Sequence, residues 1–139
     1  MNREQRLEAI AVTPADRLVA LADRVLETMP VIINRGPTVG LLMVRVEELA
    51  ERLAFNFIEV TVTEAEVASG EHRGYAMIMG RAPEAALAGA VIDVALEAGH
   101  PLAGEVVDVL VSAVAAEEAA WQARWAEVAP SVVTFEEAV

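Results

Sequence analysis

The side chains able to move a proton or hold an anion are few and far apart. The two histidines, His72 and His100, stand 28 residues apart. A helical zinc pair needs four-residue spacing. Each histidine sits beside a turn, so solvated loop positions are expected for both. His72, between Glu71 and Arg73, could assist proton transfer, but no nucleophile accompanies it. Arg73 and Arg81 bracket one expected strand. Eight residues at about 3.3 Å each separate them by roughly 26 Å, so they cannot clamp one small anion within one subunit. Arg81 precedes an expected helix N-terminus, where free N–H groups and the dipole favour anions. Its other reading is an ion pair with Glu84 or with an acidic partner. Asp93 stands inside an apolar helix, either as a buried polar hook to a partner or on a solvent face shared with Glu97.

Other arrangements add no chemistry. Gly80-Arg81 lacks the glycine spacing that lets backbone approach a pyrophosphate. Glu64 and Glu66 share one strand face, but no acidic pairs recur at di-metal helical spacing. Trp121 and Trp125 lie one helical turn apart, as core residues or, if exposed, as interface anchors. Glu117, Glu118 and Arg124 suit a solvated helix face. No catalytic residue, metal site or cofactor site is assigned. The candidate contacts for an anion or a partner are Arg81, Arg73 and Asp93.

The elements that must position these residues follow from periodicity. Arg3–Ala11 is a short helix candidate. Thr13 is expected to cap a second helix with Pro14 at its first position. Leu18, Leu21, Ala22, Val25 and Leu26 form its apolar face, and Met29-Pro30 ends it. Val31–Asn34 reads as a short strand, Gly36-Pro37 as a turn, and Val39–Val46 as a central strand covered on both faces. Glu47–Arg52 is a loop or a helical turn. Phe55–Ser69 alternates, with Ile58, Val60 and Val62 on one side. After Glu64 the apolar positions shift to Ala65 and Val67, which suggests a bulge there. Ser69–His72 is a turn and Tyr75–Gly80 a returning strand. Pro83 opens a helix with Leu87, Val91, Val94, Ala95 and Ala98 as its stripe, and Gly99 ends it. A last helix runs from about Ala103 to Val128, with Val106, Leu110, Val114, Trp121, Trp125 and Val128 near one stripe. Val132, Val133 and Phe135 make an extended tail. The expectation is a single α+β domain over 1–139, a two-layer arrangement with a four-stranded antiparallel sheet packed by N- and C-terminal helices.

Composition narrows the function classes. A chain of 139 residues fits one domain. Without cysteine it has no disulfide, thiolate metal site or cysteine nucleophile, which fits a reducing cytoplasm. The net charge is −12 and every basic residue is arginine. Such a chain repels nucleic acid and anionic membranes, and it lacks a lysine for Schiff-base or P-loop chemistry. The first twelve residues carry Arg3, Glu4, Arg6 and Glu8, so no secretory leader is expected. The apolar run Ala85–Ile92 falls far short of the roughly 20 residues of a membrane span. A hydrophobic fraction of 55%, much of it alanine and valine, reads either as a buried core plus a partner surface or as an alanine-rich bias of the sequence.

Thr38–Arg45, Phe55-Asn56 with Glu59, Val62–Val67, Gly74-Tyr75, Gly80-Arg81, Ile92-Asp93 and Ala126–Val128 with Val133 and Phe135 form an ordered set. In order and spacing this set resembles the G subunit family of the bacterial carbon–phosphorus lyase core complex. Ile58 stands where the family often has glycine, Met77 where tryptophan is common, and Ala82 where an acidic residue often follows Gly-Arg. Gly89 stands at a position that can be cysteine. The resemblance implies a cytoplasmic, non-catalytic accessory subunit, partnered by the I, H and J subunits. That complex ribosylates alkylphosphonates with ATP, displacing adenine to give a ribose 1-phosphonate 5-triphosphate. The rival expectation is a small homo-oligomeric transferase, or a self-associating structural domain, using Arg81 and His72 at an interface.

Overall fold

A computed structural model describes residues 1–133 of the chain. Its elements are α1 (Arg3–Val12), α2 (Ala15–Leu26), β1 (Ile32–Glu47), β2 (Ala54–Ser69), β3 (His72–Met79), α3 (Pro83–Glu97) and α4 (Ala103–Val128), with a 3-10 turn at Ala129–Ser131. The fold is α+β. The sheet, however, has three antiparallel strands in the order β1-β2-β3, not four. The expected turn at Gly36-Pro37 is instead an irregularity inside β1, where register shifts fall between Ile33 and Arg35 and between Arg35 and Thr38. A bulge on an edge strand accepts a proline, because the missing N–H breaks no inner ladder. The two short strands read from the sequence are therefore one, and it lies at the edge rather than the centre.

Helix α3 organises the rest. From Ala85 to Ala95 it is buried nearly all round, as an apolar helix without a polar face must be. Pro83 starts it. Gly99, at φ +66°, ends it, and the His100 N–H donates to the Ala95 carbonyl at 2.9 Å. Small residues let it lie against the sheet. A Cβ on Gly74 would stand 2.1 Å from the Ala90 carbonyl oxygen, and one on Gly89 would stand 2.7 Å from Ile10 Cγ2. Ile10, Leu18, Val25, Val67, Leu110 and Val106 complete the core around this helix.

Two local expectations change. Thr13 does not cap α2, whose N-cap is Pro14 without a side-chain bond. Its hydroxyl donates back to the Ala9 carbonyl at 2.7 Å, because the chain leaves α1 at Thr13 and that carbonyl is the nearest acceptor. The shift of parity after Glu64 is not a bulge in β2, which pairs with β3 without interruption from Val62 to Ser69. It marks a change in which face of β2 is apolar. Ala65 and Val67 are buried, whereas Ile58 and Val60 belong to the opposite face of the strand. Val132 follows the last turn in extended conformation; Phe135 lies outside the described residues.

Candidate interaction surface

Asp93 is fully buried, which overturns the solvent-face reading. Its Oδ1 accepts from Arg6 Nε at 2.6 Å and its Oδ2 from Arg3 Nη2 at 3.1 Å. Oδ2 also accepts the Tyr75 N–H at 2.9 Å. Gly74, by letting α3 approach β3 closely, brings the carboxylate within reach of that strand's backbone. Arg6 also pairs with Glu97, and its guanidinium holds the Glu97 carboxyl below the usual carboxylate range. Asp93 therefore ties α1, α3 and β3 together, and both its oxygens are engaged within the chain.

The other candidates are dispersed. Arg73 opens β3 opposite Ala68 and pairs with Glu66 at 3.3 Å. Arg81 follows β3 at its far end, is exposed, and has no ion pair among the described residues. It precedes the start of α3, whose N-cap Ala82 contributes no side-chain bond. Thr63 fixes that approach, donating to the Gly80 carbonyl at 2.6 Å and accepting the Ala82 N–H at 3.0 Å. His72 is half-buried at the start of β3. His100 is buried rather than solvated. Its Nδ1 accepts the Leu102 N–H at 3.2 Å, so Nε2 carries the proton toward Thr28 Oγ1, 2.9 Å away. It secures the α3–α4 junction. Among the described residues, no group of three or more histidines and carboxylates stands close enough to hold a metal. No described helix is long and apolar enough to cross a membrane.

The large exposed feature is elsewhere. Beyond the Val62–Met79 pair, β3 ends and β1 and β2 run on together as a two-stranded ribbon, paired from Leu41–Thr61 to Glu47–Ala54. Paired residues share a face and neighbours alternate. On the sheet's outer face the body is polar. Glu64 accepts from Arg35 at 2.6 Å and from the Tyr75 hydroxyl at 2.9 Å. That hydroxyl is pushed up to about 12, first by burial and then by its bond to Glu64. On the ribbon the same face becomes apolar: Leu42 opposite Val60, Val44 opposite Ile58, Val46 opposite Phe55. A register shift between Val44 and Arg45 leaves Phe57 as the extra residue, its ring 6.2 Å from that of Phe55 and edge-on to it. The other face carries Val39, Leu41 and Met43. Leu41 is 67% exposed and Phe57 61%. A ribbon whose large side chains lie open on both faces has too little burial to hold itself in water.

A second apolar surface lies between α1 and α4. Met1, Val12, Val111, Val114 and Trp121 line a groove of about 800 Å³ with Glu8 and Glu118 beside it. Trp121 and Trp125 are 62% and 59% exposed, so they are not core residues. The Arg124 guanidinium lies 4.9 Å from the centre of the Trp121 ring. The exposed tryptophans fit the interface-anchor alternative offered from the sequence, and the apolar surplus pointed to a partner surface, but the sequence located neither surface, because an apolar run looks the same whether its own chain or another covers it. The parity shift at Glu64 was the available signal for the ribbon.

The model of the family described as phosphonate metabolism protein PhnG matches residues 1–139. No curated protein matches the chain. The family match covers the full length, so the chain belongs to this family, the same G subunit family that its residue order resembles, and takes part in phosphonate metabolism.

Proposed function

We propose that this member of the PhnG family is a non-catalytic accessory subunit of the carbon–phosphorus lyase core complex. In this reading it supports the ATP-dependent ribosylation of alkylphosphonates, in which adenine is displaced to give a ribose 1-phosphonate 5-triphosphate. It works in the cytoplasm with the I, H and J subunits, with the I subunit as the seat of the displacement chemistry. The observation that carries the reading is the ribbon, whose apolar side chains are open on both faces. The candidate polar residues support it: Asp93 and Arg73 are engaged in ion pairs within the chain, while Arg81 has none among the described residues. Arg81 and, more weakly, Arg73 are the side chains offered to an anion or an acidic partner.

Co-expression with the I, H and J subunits, followed by affinity purification of this chain at moderate salt, tests the proposal. Stoichiometric co-purification is expected. Recovery of this chain alone, with the other subunits folded, would count against it. The exposed Arg81 at the start of α3 keeps one rival in view, a homo-oligomeric transferase using Arg81 and His72. Turnover by the isolated protein, lost in Arg81→Ala or His72→Ala, would establish that rival.

A further inference from the structure

Among the described residues, strand β2 has an open side. The Gly80 N–H donates to the Thr61 carbonyl at 2.7 Å, so Thr61 turns its main-chain groups toward the β3 side. These groups alternate sides along an antiparallel strand, so those of Glu59 face the same way. Val60 and Ile58 pair with Leu42 and Val44 of β1. β3 ends at Met79, opposite Val62. Glu59 therefore presents its N–H and C=O on a sheet edge that continues the line of β3, with apolar side chains above and below.

The two edges of the ribbon differ. Beside the body the outer strand β1 carries two bulges with Arg35 and Pro37, and along the ribbon it carries Arg45 and Glu47; bulges, proline and charge are devices that blunt edge pairing. The β2 edge has its own bulge at Phe57, but from Ile58 to Thr61 it is regular, with Glu59 as its one charged side chain. A regular edge between apolar faces is the surface that strand addition uses, with main-chain bonds for affinity and alternate side chains for specificity. Charge selects the occupant. The ribbon and its tip hold Glu47, Glu48, Glu51 and Glu59 against Arg45 and Arg52, on a chain of net charge −12. A second copy would bring like charge to this edge, whereas a basic segment is attracted.

We propose that the regular β2 edge around Glu59, from Ile58 to Thr61, takes an extended segment of a different protein, apolar at alternate positions and net positive, which continues the sheet in line with β3. The inference rests on the reading of the chain as a subunit of a complex.

The test repeats the co-expression purification with Glu59→Pro, Glu59→Thr and Phe57→Lys, and weighs each purified chain alone by light scattering. Proline at Glu59 removes the outward N–H and leaves the β1 ladder in place. Glu59→Thr is expected to retain the companion subunits. Glu59→Pro is expected to retain at least about tenfold less, the effect of losing one buried hydrogen bond at an interface. Phe57→Lys, at an exposed position that leaves folding untouched, is expected to lose them similarly. Retention by both Glu59→Pro and Phe57→Lys would overturn the proposal and leave the subunit reading standing. A dimer of the wild-type chain alone, broken by Glu59→Pro, would overturn it in favour of a second copy. Failure of the wild-type chain to retain any companion would remove the subunit reading and this inference with it.

Discussion

One strand, β2, belongs to two regions built on opposite terms. In its inner half Ala65 and Val67 are fully buried under α3, and the polar groups beneath the helix are paired. Among the described residues no buried side-chain nitrogen or oxygen lacks a partner. In its outer half Phe57 and Ile58 lie open, and one main-chain edge faces no strand among the described residues. The body satisfies its apolar and polar groups internally. The ribbon satisfies only the hydrogen bonds between its two strands. The difference teaches that the surplus of apolar residues is not spread evenly over the surface, although Ile32, Ile33 and Met79 are exposed elsewhere. It is concentrated in the ribbon and along the α1–α4 groove, the two places where another chain can remove it from water.

The body should break at single atoms. Asp93→Ala leaves the Arg6 guanidinium buried with one partner fewer and frees the Tyr75 N–H. A loss of about 3–5 kcal/mol in denaturant unfolding is expected, and a loss below 1 kcal/mol would show that the tie across α1, α3 and β3 is not what holds the body. Gly74→Ala places a methyl group against the Ala90 carbonyl, and a loss of about 3 kcal/mol is expected from the forced separation of α3 and β3. Unchanged stability would mean that this contact is not close-packed.

Smaller in effect is the pH response. Arg6 lowers Glu97 and Arg24 lowers Glu105, each chiefly by a side-chain hydrogen bond. The unfolded chain then binds more protons than the folded chain just below the ordinary carboxylate value. The stability from these pairs is present above the unfolded value of 4.5 and is lost as pH falls through the lower folded values. Glu97→Gln should flatten the decline of unfolding free energy in that acid window; an identical slope would remove Glu97 from the account.

The smallest effect on stability belongs to the ribbon. Phe57→Ser should change the unfolding free energy of the isolated chain by less than about 0.5 kcal/mol, as expected for a surface position. A loss of several kcal/mol would mean that the ribbon is packed by its own chain, and the contrast between the two regions would collapse.

Much of the body was legible. The spacing of Leu18, Leu21, Ala22 and Val25, the Pro83 start and the Gly99 stop all express local rules, and α2, α3 and α4 follow them closely. The capping box Asn2–Gln5 was written in the sequence in the same way and went unread. What was not legible depends on distant partners. Arg6 reaches Asp93 across 87 residues of chain, and nothing local to either marks the pair. The run Val39–Val46 looked central because continuous apolar strands usually are, yet periodicity records only that a face must be covered, not by whom. Gly36-Pro37 looked like a turn because those residues make turns, and only the ladder to β2 shows a bulge. The candidate site was least legible for this reason: its chemistry is incompleteness, visible only once the rest of the chain is seen to be complete.

Amide hydrogen exchange, comparing the chain alone with the chain co-purified with the I, H and J subunits, tests the central claim most directly. The account predicts fast exchange at Glu59 and its outward-facing neighbours in the isolated chain. It predicts strong slowing there in the complex, with α3 protected alike in both. Protection at Glu59 in the isolated chain, or protection in the complex confined to α1 and α4 with the ribbon still open, would contradict it.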